Sequence, residues 1–338
     1  MKKISNPPNP YDSKSREWLE PSPEARLEIY EDSSRSILSR NDSPDVGFTW
    51  SANPYRGCFH SCAYCYARRY HEYLGFGAGT DFESKLVIKP RAAELLRKEF
   101  LKNSWKGETV VFSGGTDCYQ PIEAVYELTR KCLEVCLDFR NPASIITKSL
   151  LVVRDIDLLS ELNRQSFCTA VVSIPFASDE AGRTIEPQAS SVTRRFEAVR
   201  QLAKAGIPVG VSLAPTIPGL NDQDIPKILK KARDLGARFA FHSLVRLSGS
   251  VGAVFREKIT ASLPPERVER ILKRLSESRN GAMNDTRFGH RMTGKGTYWE
   301  AISDLFKLTS KKLGFEDFPE APSPSPFKAP SPQLEMGF

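Results

Sequence analysis

The sequence predicts an α/β fold, a full or partial barrel of parallel strands wrapped by helices, with an open doubly wound sheet as the alternative. Three observations lead there. Short β-like runs alternate with amphipathic segments six or seven times, the pattern of a parallel sheet with helices outside. The run Thr169-Ala170-Val171-Val172-Ser173-Ile174 is nearly continuous in small and branched apolar residues, as in a strand buried on both faces. Helical segments also stop on glycine, at Ala205-Gly206-Ile207-Pro208 and at Leu235-Gly236, which separates the units.

Taken in order, the β-like runs are Lys85–Lys89, Thr109–Ser113, Ala143–Thr147, Thr169–Ile174, Pro208–Leu213 and Arg238–Arg246. The helical segments between them are Arg91–Lys102, Ile122–Leu137, Arg154–Asn163, Val192–Ala205 and Asp222–Leu235, where apolar residues recur at helical spacing. Two further helices, Pro264–Ser278 and Tyr298–Leu313, pack on afterwards. The ends of the chain differ. Residues 1–48 are rich in Pro, Ser and charge and are expected to form an extended arm. Residues 318–338 carry six prolines among serines and are expected to be disordered. The barrel is assigned to 49–250 and a helical extension to 251–317.

Composition narrows the class. The chain has 338 residues, 40% of them hydrophobic, enough for a sizeable core. No apolar run approaches the roughly 18–20 residues that span a bilayer, and Met1–Tyr11 has no apolar signal core. A soluble, cytoplasmic protein without a membrane partner is expected. The formal net charge of +7 is compatible with a nucleic-acid substrate and equally with a solvated basic surface. Candidate phosphate contacts are Arg194, Arg195, Lys230, Lys231, Arg287 and Arg291.

Seven cysteines, an odd number, argue for reduced thiols rather than a disulfide framework. Three of them, Cys58, Cys62 and Cys65, form C-x-x-x-C-x-x-C. A structural zinc wants four closed ligands, and His60 lies between two of these cysteines on a very short loop. Three thiolates suit a cubane 4Fe–4S cluster with one iron left open; zinc or unligated thiols are the alternatives. In a barrel the active site lies at the C-terminal strand ends, which directs attention to Ser113-Gly114-Gly115-Thr116-Asp117, Thr147-Lys148-Ser149, Ser173, Ser212 and His242. Cys132, Cys136 and Cys168 read as buried small hydrophobes, and His242 as a structural histidine.

The run Asn53-Pro54-Tyr55-Arg56-Gly57-Cys58 through Cys65-Tyr66-Ala67-Arg68 resembles the radical S-adenosylmethionine (SAM) superfamily, in the branch related to spore photoproduct lyase. Thr116–Glu123, Ile146–Ser149, Glu186-Pro187, Pro215–Asp222 and Asn284–Gly289 are similar to that branch as well. The resemblance spans Ser36 to Leu313. It implies a partial (βα)6 TIM-like barrel, a 4Fe–4S cluster on Cys58, Cys62 and Cys65, and SAM as second cofactor. It also implies an external electron donor such as a flavodoxin or ferredoxin. Tyr64, Tyr66, Gly114, Gly115, Thr116, Lys148 and Ser173 then fall at SAM-contacting positions. The reaction implied is reductive SAM cleavage to a 5′-deoxyadenosyl radical that abstracts hydrogen from an unidentified substrate.

The lyase's hydrogen-donating cysteine is missing, because Gly115 stands in its place. Cys118 is the candidate for a catalytic thiol facing the site from the same loop, with an inert loop thiol as the alternative. A cluster- or zinc-containing nucleic-acid-binding protein without catalysis is the competing function.

Overall fold

The computed structural model describes residues 27–330. Its strands are β1 (Glu28–Glu31), β2 (Leu38–Arg40), β3 (Trp50–Ala52), β4 (Tyr55–Arg56), β5 (Lys85–Ile88), β6 (Val110–Phe112), β7 (Ala143–Thr147), β8 (Cys168–Ser173), β9 (Val209–Thr216) and β10 (Phe239–Leu244). Six of them, in the spatial order β3-β6-β7-β8-β9-β10, form a parallel sheet, and β2 adds antiparallel to β3. From β6 to β10 neighbours in space are neighbours in sequence, as successive βα units require, whereas β4 and β5 intervene between β3 and β6 and belong to another sheet. Because β3 and β10 do not pair with each other, the barrel is partial, with six parallel strands.

Two expected elements fall differently. The run at 85–89 is a strand, but it belongs to a separate three-stranded sheet, β1-β5-β4. The barrel begins instead at Trp50–Ala52, too short to stand out by periodicity. The helix expected over 122–137 is broken at Glu127, whose φ of +53° ends one short helix, α1 (Glu123–Tyr126), and starts α2 (Leu128–Asp138). Val125 is exposed, whereas Cys132 and Cys136 on α2 are buried, as expected of small hydrophobes.

Three helices follow the barrel: α3 (Ser250–Ser262), α4 (Pro265–Glu277) and α5 (Thr297–Lys312). Val251, Phe255, Ile271, Leu275, Trp299 and Phe306 share one hydrophobic cluster with the strands, so these helices extend the barrel core instead of forming their own. His242 of β10 stacks between Trp299 and Phe306, 5.5 and 4.3 Å between ring centres, a packing role away from the chemistry.

The tail expectation needs correcting over 318–330. Phe318 packs on Phe239, and Phe327 lies against Phe100 and Phe139 at 6.0 and 6.1 Å. The Lys328 amide donates to the Phe139 carbonyl at 2.8 Å. Prolines forbid helix here, but they do not prevent the aromatic residues between them from docking. Residues 1–26 of the expected arm and 331–338 of the expected tail lie outside the described residues.

Candidate active site

The cysteine loop leaves β4 through Gly57, whose φ is +71° and whose added Cβ would lie 3.0 Å from the carbonyl oxygens of Phe82 and Lys85. Backbone contact that close requires glycine. Below the loop, Arg68 is fully buried and donates to the carbonyls of Cys62, Ala78 and Gly79 at 2.8–3.1 Å. Its guanidinium also meets Glu83 at 3.2 Å. Lys258 of α3 reaches in from the helical extension, donating to the Ser61 carbonyl and to Glu83, both at 3.0 Å. The loop is thus pinned by Arg68 and Lys258 through the backbone carbonyls of Cys62 and Ser61.

Cys58 and Cys62 are buried and Cys65 is half-buried. Burial pushes the Cys62 thiol up to about 12, with the Glu186 carboxylate adding to the effect and Lys148 opposing it. Burial likewise raises Cys58, which feels both other thiols, and Cys65, which Arg68 partly offsets. No three His, Cys, Asp or Glu side chains among the described residues converge as they would around a single metal ion. A cubane asks for something else, since each thiolate takes its own iron and the sulfurs surround a cluster rather than meet at a point. Three thiols on one pinned loop, within electrostatic reach of one another, fit that donor set.

His60, between the first two cysteines, is anchored across the site: its Nδ1 lies 3.3 Å from Asp117 Oδ2 at the end of β6. Burial alone would raise the Asp117 carboxyl. The His60 imidazole, the Thr147 hydroxyl at 2.6 Å and the Lys148 amide at 2.7 Å outweigh it and hold it well below the usual carboxylate range. One carboxylate therefore joins the cysteine loop to the ends of β6 and β7.

The remaining predicted residues line the same strand ends. The Tyr66 hydroxyl donates to the Gly114 carbonyl at 2.8 Å. Gly114 has φ +57°, and a Cβ there would meet Ser51 Oγ at 2.8 Å. The Asn53 amide donates to the carbonyls of Ser113 and Thr116 at 2.7 and 2.6 Å, clamping the turn that contains Gly114 and Gly115. The Lys148 ammonium stands 5.8 Å over the Tyr64 ring. Burial disfavours that charge, but the Cys62 sulfur and the Glu186 and Asp117 carboxylates overcome it and raise the lysine. Ser173 is buried, and its carbonyl accepts from Arg195 at 3.2 Å.

Three readings change. Cys118 is completely buried, its Sγ turned to the Phe112 carbonyl at 3.6 Å within the main core. Asp117 faces the strand-end site, and the next residue points the opposite way. The structure thus places Cys118 as a small core hydrophobe and does not turn its thiol toward the strand-end site as the sequence suggested. Thr116 spends its buried hydroxyl on the Tyr55 carbonyl at 3.0 Å, so it shapes the turn. Arg195 is buried in an ion pair with Glu186 at 2.5 Å, and the Tyr64 hydroxyl donates to the same carboxylate. Periodicity could have found Arg195, which falls between Val192 and Val199 on the apolar stripe of its helix. Four of the other candidate phosphate contacts are each engaged by a neighbour within the chain. Lys230 pairs with Asp234, Arg287 with Asp285 and Arg291 with Asp45, while Lys231 lies over Phe196.

Comparison with known proteins agrees with this arrangement. A family model of the radical SAM superfamily matches residues 52–232. An uncharacterized protein of Mycobacterium tuberculosis is 37% identical over 175 residues, 52% of each chain. One from Methanocaldococcus jannaschii is 30% identical over 200 residues, 59% of this chain and 71% of the other. A radical SAM Nalpha-GlyT isomerase of Pseudomonas phage M6 is 23% identical, covering 75% of this chain and 51% of its own. The chain spans about half the length of the mycobacterial relatives it matches. In fold it is similar to spore photoproduct lyase complexed with dinucleoside spore photoproduct, with TM-score 0.61, 15% identity, and 85% and 80% of the two chains covered. No helix among the described residues is long and apolar enough to cross a membrane. The pinned three-cysteine loop at the mouth of six parallel strands and the matched family model lead to one conclusion: the chain belongs to the radical SAM superfamily, enzymes that use a 4Fe–4S cluster and SAM and draw their electron from a reductant.

Proposed function

We propose that Cys58, Cys62 and Cys65 hold the 4Fe–4S cluster and that the strand ends around them bind SAM for reductive cleavage. The observation that carries this reading is the junction of the cysteine loop with the ends of β6 and β7 through Asp117, His60 and Lys148. Cys58, Cys62 and Cys65 would hold the cluster, which when bound would supply the one-electron chemistry that reductive cleavage of SAM and hydrogen abstraction require. The protein's tasks are holding, orienting and excluding water. Tyr66 and Asn53 fix the Gly114–Gly115 turn, where two residues without Cβ let backbone approach a ligand. Lys148 brings a cation to the site, and Glu186, locked by Arg195, orients Tyr64 beneath it. The electron comes from a small flavodoxin- or ferredoxin-like donor.

Anaerobic reconstitution tests the reading. Expected are about four irons and four sulfides per chain, a broad visible absorption that bleaches with dithionite, and reductive formation of 5′-deoxyadenosine from SAM. A single zinc without SAM cleavage would overturn it in favour of a non-catalytic binding protein.

A further inference from the structure

We infer that Tyr66, Tyr70 and Tyr73 form a stacking platform for the unpaired bases of a single-stranded nucleic acid, leading its chain to the proposed radical site. Tyr70 lies in the short helix Arg68–Glu72 that follows the cysteine loop, with Tyr66 just before it and Tyr73 at its C-terminal cap, and each ring meets the next in the row. All three are exposed, at 37%, 46% and 55%. Aromatic surface of this extent, in one row, is surface that a flat ligand would cover. Tyr66 and Tyr70 meet edge to face, 6.2 Å between centres. Tyr70 and Tyr73 lie within 24° of parallel at 6.4 Å, slightly less than twice the ~3.4 Å spacing of stacked bases. A small opening of that pair admits one planar ring between them.

The row has a direction and a charge. Its inner end is Tyr66, whose hydroxyl sits on the Gly114 carbonyl at the strand ends. Arg246 lies 5.7 Å from the centre of that ring, and Arg291, itself stacked on the exposed Phe288 at 4.5 Å, is within electrostatic reach of Arg246. Aromatic faces interleaved with guanidinium groups suit bases and phosphates of a single strand better than a duplex, whose bases are already stacked. Lys230, Arg287 and Arg291 are each paired with a carboxylate, so recognition here depends on the rings. The inference rests on the proposed function only in placing the reactive centre at the inner end.

Binding is measured without SAM or reductant, on the reconstituted full chain, by fluorescence polarisation of labelled oligonucleotides. The probes are a short single strand, its duplex, and an abasic strand of the same length. The single strand is expected to bind more tightly than both others. Tyr70→Ala and Tyr73→Ala should each weaken it by about 5- to 100-fold, the range for one base–aromatic stack, while Tyr70→Trp retains it. Equal affinity for abasic and base-bearing strands would overturn the inference, as would unchanged binding by the folded double variant Tyr70→Ala/Tyr73→Ala. So would a double variant whose only defect is slower cluster reduction by a flavodoxin, since that would make the row a docking site for the electron donor. Loss of SAM cleavage with intact strand binding would instead count against the proposed function.

Discussion

His60 Nδ1 and Asp117 Oδ2 stand 3.3 Å apart, joining the middle of the cysteine motif to the end of a barrel strand 57 positions later. This contact decides what the cysteine loop faces. Asp117 is also held by Thr147 and by the Lys148 amide, so the cysteine loop and the ends of β6 and β7 meet at one carboxylate. Asp117→Asn should keep the fold but loosen the loop. Lower iron retention on gel filtration, with unchanged far-ultraviolet dichroism, is the expected result.

The thiols should separate by role. Cys58→Ala, Cys62→Ala and Cys65→Ala are each expected to abolish cluster formation, because the alanine offers no ligand. Cys118→Ala should bind full iron and cleave SAM at a rate within a few-fold of the parent. Iron and sulfide analysis, followed by 5′-deoxyadenosine quantification, distinguishes the two groups. A Cys62→Ala protein with full iron would contradict the assignment.

SAM affinity should depend on the strand ends, whereas iron content should not. Lys148→Ala removes the cation beside Cys62 and Tyr64, and Ser173→Ala alters a buried strand end. Both are expected to weaken SAM binding about ten-fold or more with iron content unchanged. Gly114→Ala should act similarly, since its φ of +57° and the nearby Ser51 Oγ leave no room for a methyl group. Equilibrium dialysis with labelled SAM measures all three.

The Glu186–Arg195 pair is buried on both sides. Removing one partner leaves an uncompensated charge in the core, which costs about 3–5 kcal/mol. Arg195→Met is therefore expected to lower the urea midpoint sharply. A solvent-facing arginine, as the sequence suggested, would barely move it.

Stability should fall on mild acidification through His242. Burial against Trp299 and Phe306 lowers its titration to about 4, with Lys307 adding to the effect. The unfolded chain, titrating near 6.5, binds the proton more readily. The contribution is thus complete above about pH 6.5 and is lost as pH falls toward 4, about 2–3 kcal/mol in all. Urea midpoints of His242→Phe should vary less between pH 7 and 4.5 than those of the parent.

The sequence by itself determined the alternating α/β order, the strand at Ala143–Thr147 residue for residue, and the three-cysteine loop with its residue types. These are local properties: periodicity, glycine stops and the spacing of soft ligands act over a few residues. Tertiary structure decided the rest, because each remaining feature depends on partners distant in the chain. Trp50–Ala52 is a strand because β2 and β6 flank it. Cys118 is buried with its Sγ against the Phe112 carbonyl, while its neighbour Asp117 reaches His60. Phe327 is anchored by Phe100 and Phe139 despite the prolines around it. Arg195 is internal because Glu186 neutralises it where water is excluded. A charged side chain can be buried only when its partner arrives, and which partner arrives is settled by the fold.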